Sequence, residues 1–220
     1  MPFSPGLMLI FIFLLTALVT FVQIGALTIA FEKLGLSSES AFTLLFSSLL
    51  GSMINLPLFK VDASAPSPHQ APASLQGLLR QRLQEFKGKT VIAINVGGCL
   101  IPLTFSLYLL HNNPVTITQT VLGITIVAAI SWVFSRPVPG LGIGMPIFVA
   151  PVSAAIVATL LNTNESAALA YICGTLGVLI GADLLRLKDI QKMGAPVASI
   201  GGAGTFDGIF ITGIVAVLIA

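Results

Sequence analysis

Apolar residues in this chain come in long runs rather than in a helix or strand period. Seven runs stand out, at residues 7–31, 40–59, 91–110, 117–134, 145–161, 166–185 and 196–220. A membrane-spanning helix takes about 20 apolar residues, with a range of about 17 to 25. The pattern therefore predicts an all-α fold: a polytopic membrane helix bundle of about seven spans. The fourth and fifth runs are short and separated by a Pro/Gly-rich stretch, 136–146. The seventh contains Ser199-Ile-Gly201-Gly202-Ala-Gly204-Thr-Phe-Asp207-Gly208, with four glycines within 201–208. Such a segment makes a poor helix. The last span is expected to be broken there, with an unwound glycine segment followed by a half-helix that starts near Asp207.

Composition agrees with this reading. The chain is 55% hydrophobic and 8% charged, with a mean hydropathy of +1.02, whereas soluble domains carry about 25% charged residues. The first run is longer than the apolar core of a signal peptide. With seven spans, Lys60, Arg80, Arg82, Lys87, Lys89, Arg136, Arg186, Lys188 and Lys192 fall on one side and Lys33 alone on the other. Positive residues concentrate in cytoplasmic loops. The expected placement is thus the inner membrane, N-terminus cytoplasmic and C-terminus external. Residues 1–220 form one transmembrane domain with a cytoplasmic loop, 60–90. In that loop Val61–Ser74 reads as flexible linker. Leu75–Lys89 places Leu75, Leu78, Leu79, Leu83 and Phe86 at helical spacing among basic residues, which suits a short helix on the anionic inner leaflet or a solvated helix end. The net charge of +2 gives no reason to expect a nucleic-acid partner. Cys99 and Cys173 lie inside apolar runs and read as small packing residues. His69 and His111 lie in loops on opposite sides, so no metal site is expected. No phosphate loop or dinucleotide fingerprint is present, so no cofactor is expected either.

Two acidic residues fall inside the apolar runs. A carboxylate within a bilayer costs several kcal/mol unless it is paired, protonated or wetted. Asp183 follows Gly174, Gly177 and Gly181, a small-residue face that lets helices approach closely, and at about 100° per residue it points roughly away from that face. It has two readings: a member of a polar site, or an N-cap for a short helix over Leu184–Met193. Asp207 has twelve residues after Gly208, about 18 Å of helix, which places it well inside a hydrocarbon core of about 30 Å. Broken helices at such depth often form ion or substrate sites. By helix rise the two carboxylates differ in depth by about 9 Å. Asn55 and Asn95 lie near the inner ends of the second and third spans, and Asn95-Val-Gly-Gly loosely echoes Ser199-Ile-Gly-Gly, a hint of an internal repeat. Each asparagine equally reads as an interhelical hydrogen-bonding group. The candidate catalytic residues are Asp183 and Asp207. The candidate ion- or substrate-binding positions are Asn55, Asn95, Gly202, Gly204 and Thr205.

The stretch Gly177-Val-Leu-Ile-Gly-Ala-Asp183-Leu-Leu, followed by Ser199-Ile-Gly-Gly-Ala-Gly-Thr-Phe-Asp207-Gly-Ile-Phe, resembles an uncharacterised prokaryotic membrane family, DUF1614. Gly51-Ser-Met-Ile-Asn55 and Asn95-Val-Gly-Gly fit the same resemblance, which implies a membrane protein and no established activity. The chain is also similar, more weakly, to presenilin and signal peptide peptidase. Those intramembrane aspartyl proteases carry one catalytic aspartate on each of the sixth and seventh spans. Asp183 and Asp207 match them in span number, loop side and glycine setting. Thr205 and Phe206, however, separate Gly204 from Asp207, and Ala182 stands where those families have tyrosine.

Three functions fit these residues. One is a small proton- or cation-coupled transporter or channel whose broken span binds the ion. Another is an aspartate-dyad hydrolase, in which one acid activates water and the other assists the carbonyl. The last is a non-catalytic scaffold with both aspartates as buried caps. The partners implied are the lipid bilayer and an unidentified ion, small molecule or membrane peptide. The sequence leaves the oligomeric state undetermined.

Overall fold

A computed structural model describes residue 16 and residues 24–63, 88–138, 142–192, 196–202 and 208–220. Helices carry most of these residues. The first, α1, covers 24–33. It is followed by α2 (Ser38–Gly51), whose N-cap Ser37 accepts from the Ser40 N–H. A π-helical turn over Val96–Leu100 leads into α3 (Ile101–Asn112). Then come α4 (Ile117–Phe134), opened by a Thr116/Gln119 capping box, and α5 (Val149–Leu161). Next, α6 (Ser166–Val178) continues through a second π-helical turn, Leu179–Leu184, and the last helix is α7 (Gly208–Ile219).

Five strands complete the described part. β1 (Asn55–Asp62) and β2 (Lys89–Asn95) pair antiparallel, and β2 pairs in parallel with β5 (Val197–Ile200), giving the order β1-β2-β5. β3 (Arg136–Val138) and β4 (Gly142–Gly144) form a separate hairpin.

The central helix is α6. It is apolar all round, and most of its residues from Ser166 to Val178 are buried, as a helix enclosed by neighbours should be. It packs against α3, α4, α5 and α7. Phe105 meets Tyr171 edge-on at 4.9 Å. Gly177 and Gly181 lie against Val127 and Ala128 of α4, and Gly174 faces Ala154, Thr212 and Ala216. Cys173 is buried and its sulfur fills the space over Gly123, the packing role expected of it.

The chain turns at two opposite ends of the bundle. At one end Lys33 Nζ donates to Val217 O at 3.3 Å, Gln119 Nε2 to Leu161 O at 2.9 Å, and Ser166 Oγ to Ala220 O at 3.2 Å. At the other end Arg186 reaches the last turn of α4. Its guanidinium donates to Trp132 O (2.7 Å), Ser135 O (2.8 Å) and Ser135 Oγ (3.2 Å), pairs with Asp189 at 3.1 Å and lies over the Trp132 ring. A cation bonded to the orphan carbonyls of a helix C-terminus satisfies both their hydrogen bonds and the helix dipole. Arg186→Ala is expected to cost about 2–3 kcal/mol. Arg186→Lys recovers only part of that, because an ammonium lacks the planar fork. Thermal unfolding in detergent checks the order wild type, Lys, Ala; equal midpoints for all three would remove this cap from the account.

Several expectations need correcting. The second, third and seventh apolar runs are not helical throughout. Residues 55–59 of the second belong to β1, 91–95 of the third to β2, and 197–200 of the seventh to β5. Val61 and Asp62, expected at the start of the linker, belong to β1, and Lys89, expected at the end of the surface helix, opens β2. Residues 64–87, which hold the rest of the expected linker and surface helix, lie outside the described residues. Among the described residues two helices are long and apolar enough to cross a membrane, Ile117–Phe134 and Ser166–Leu184; Val96–Asn112 and Val149–Leu161 are apolar but shorter.

Candidate functional site

Three chain segments change from strand to helix, or helix to strand, at one place. Here α2 ends and β1 begins, β2 ends and the π turn before α3 begins, and β5 ends on Gly201 and Gly202. The ladder sets Asn55 opposite Asn95 and Ile94 opposite Ile200. The side chains at the junction form one hydrogen-bonded group. Asn95 Nδ2 donates to Ser52 O at 2.7 Å and to Asn55 Oδ1 at 3.0 Å, and Asn95 Oδ1 accepts from the Gly98 N–H at 2.7 Å. Ser199 Oγ donates to the same Asn55 Oδ1 at 2.6 Å. Asn95 is only 1% exposed, and both its N–H bonds are committed to protein partners. It therefore caps the π turn and ties the C-cap of α2, β1 and β2 together.

Asp183 reaches this junction from α6. It lies inside the second π turn, where Leu185 N bonds back to Ile180 O at 2.9 Å. An i→i+5 turn places more residues per turn than an α-helix, so it re-aims the side chains beyond it. The half-buried Asp183 carboxylate accepts the Gly201 N–H at 2.7 Å. It is thus in the interior of a helical turn, and the helix after it is a 3₁₀ segment over Leu187–Lys192. The carboxylate bonds a strand end across the fold, and the helical segment described after it starts at Leu187 rather than Leu184.

Gly201 and Gly202 carry φ of +86° and +88°, a region that side-chain-bearing residues rarely occupy. A Cβ on Gly201 would come within 2.6 Å of Gly98 C and Cys99 N. The strand end is therefore pressed onto the π turn, and only glycine permits both the turn and the contact. The four-residue echo between Asn95-Val-Gly-Gly and Ser199-Ile-Gly-Gly finds a spatial counterpart, since the two strands are parallel neighbours. They are offset by two residues: with Ile94 opposite Ile200, the next position puts Asn95 beside Gly201.

The junction brings together Asp183, Asn55, Asn95 and the first two glycines of the seventh run. Gly204, Thr205 and Asp207 lie outside the described residues. Ser199, Ser52 and Ser48 were not singled out from the sequence, although each takes part: Ser48 Oγ donates to Gly97 O at 2.8 Å. Ser199 opens the echoed motif, the one signal that could have found it. Elsewhere in the bundle Tyr171 and Thr175, one turn apart on α6, are fully buried, and their hydroxyls have no well-aligned partner among the described residues. No group of three His, Cys, Asp or Glu side chains that could hold a metal occurs among the described residues.

A family model described as a protein of unknown function, DUF1614, matches residues 49–219. No curated protein and no solved structure matches the chain. The first of the two sequence resemblances is thereby borne out over those residues, and the presenilin-like one finds no support.

Proposed function

The chain belongs to the DUF1614 family, and we propose that it is a multi-pass inner-membrane protein that passes protons or a small cation through the junction around Asp183. The N-terminus is cytoplasmic and the C-terminus external in this reading.

The distribution of side-chain size supports the membrane setting. Buried positions are often small, such as Ala128, Ala154, Ala158, Ala170 and Ala216, while Phe42, Phe46, Val121, Leu122, Ile156 and Leu160 are exposed on the helices. Water would penalise that arrangement, whereas lipid favours it, because small residues let helices approach and the large ones meet acyl chains. Trp132 and Tyr108 are half-exposed near opposite ends of the bundle, where aromatic side chains suit the two interfaces.

The observation that carries the ion reading is the Asp183–Gly201 contact. It sets an ionisable group against a strand end that has unwound into two left-handed glycines. Irregular backbone near the bilayer is tolerated where protein or water surrounds it, and unwound backbone beside a carboxylate offers oxygen ligands to a small cation. Asp207, which precedes Gly208 in the sequence, is taken as the second carboxylate.

Purified protein in liposomes with an entrapped pH-sensitive dye tests this. Wild type should dissipate an imposed proton gradient. Asp183→Asn should lower the rate at least tenfold while the protein stays folded, because the amide oxygen still accepts the Gly201 N–H. Equal rates for the two proteins would sink the reading.

A further inference from the structure

A second feature lies at the end of α4. A cleft of about 440 Å³ opens between the end of α4, the β3–β4 hairpin and the residues that lead into α5. It is lined by Val133, Phe134, Arg136, Val138, Met145 and Pro146. Arg136 is exposed and makes no ion pair among the described residues. The surroundings are apolar and outward-facing: Val133 is 61% exposed, Ile147 77% and Phe148 72%. One unpaired cation beside an apolar cleft has the shape of an amphiphile site, with an anionic head on the guanidinium and a chain against the wall.

We propose that this cleft holds one anionic phospholipid, its phosphate on Arg136 and the start of one acyl chain along Val133, Phe134 and Met145. This rests on the membrane reading above, which sets the end of α4 at the cytoplasmic interface. Trp132 and Arg186 mark the same level, since the guanidinium lies over the indole there. The guanidinium of Arg186 is already engaged by Trp132, Ser135 and Asp189, whereas Arg136 lines the cleft and has no ion pair among the described residues. Arginine suits a phosphate because its planar fork matches two phosphate oxygens at once. The cleft volume falls in the range of small-molecule sites, roughly 300–1,000 Å³.

The full chain, purified in detergent, is titrated with phosphatidylglycerol, with phosphatidylcholine of the same acyl chains and with glycerol phosphate, and bound species are counted by native mass spectrometry. Wild type should retain phosphatidylglycerol about fivefold better than phosphatidylcholine, the weight of one arginine near an anionic surface. Arg136→Gln should bring the two lipids level, and Arg136→Lys should keep part of the preference. Equal retention by wild type, or an unchanged preference in Arg136→Gln, overturns the site. Glycerol phosphate bound as tightly as the lipid also overturns it, leaving a simple phosphate site. Retention is read in micelles and flux in phosphatidylcholine liposomes. Failure of one therefore leaves the other standing: a protein that conducts protons without lipid preference loses only the cleft, and one that prefers the anionic lipid without flux loses only the ion reading.

Discussion

The Gly97→Ala protein is expected to lose its folded state, the largest effect of any single methyl group described here. A Cβ at position 97 would run into Ser48 O and Ser52 N and stand 2.8 Å from Gly51 C. Every one of these atoms is backbone, so no side chain can swing aside. The approach is mutual, because a Cβ on Gly51 would meet Gly97 N at 3.0 Å. Relief requires α2 to shift away from the π turn. That shift would break the Ser48 Oγ bond to Gly97 O and pull Ser52 O away from Asn95. Overpacking usually costs about 1–3 kcal/mol where side chains can adjust. With rigid walls the cost reaches about 5 kcal/mol, at the low end of the whole net stability of a domain. The check is the monodisperse fraction after detergent extraction. Gly25→Ala serves as control, since nothing lies within 4 Å of a Cβ there and alanine is the better helix former. If Gly97→Ala elutes and melts like Gly25→Ala, the close approach of α2 and the π turn is wrong.

Substitution of Asn95 should cost nearly as much, and the order among variants is diagnostic. Asn95→Ala strands the Gly98 N–H and takes a donor from Ser52 O and from Asn55 Oδ1, all in a setting where Asn95 itself is 1% exposed. At about 1–1.5 kcal/mol for each bond, the loss comes to about 3–4 kcal/mol. Aspartate is ordinarily among the best N-caps, and on local grounds Asn95→Asp would be harmless. The fold predicts the reverse. A carboxylate keeps the Gly98 bond but has nothing to donate, so it faces Ser52 O and Asn55 Oδ1 acceptor to acceptor while carrying a buried charge. Asn95→Asp should therefore melt at or below Asn95→Ala at neutral pH. A variant as stable as wild type would show that the amide is not oriented as described.

The apolar runs located most helices well. The fourth run, 117–134, coincides with α4, and 166–185 ends one residue beyond the π turn of α6. Four glycines in eight residues oppose a helix on conformational grounds alone, and the described residues on either side are a strand, Val197–Ile200, and a helix from Gly208. The strands were hidden for the same reason that the helices were visible. Run length measures burial in an apolar medium and carries no period, so Thr90-Val-Ile-Ala-Ile94 reads alike as the first turns of a span and as a central strand. What separates the two is a partner, and the partners of β2 come from residues 55–62 and 197–200. The same holds for Asp183. Counting at 100° per residue assumes an unbroken α-helix, and the π turn over Leu179–Leu184 changes where the carboxylate points.

The sequence by itself determined the apolar helices and made the glycine-rich stretch and the two aspartates stand out against them. Each follows from local chemistry: hydrophobic length, backbone freedom, and the cost of charge away from water. Only the tertiary structure decided that three chain segments meet at one junction, that Asn95 is spent holding it, and that Asp183 bonds the Gly201 N–H. Those outcomes depend on contacts between residues far apart in the chain, such as Asn55 with Ser199 across 144 positions, and no local preference specifies which distant backbone will complete a buried hydrogen bond.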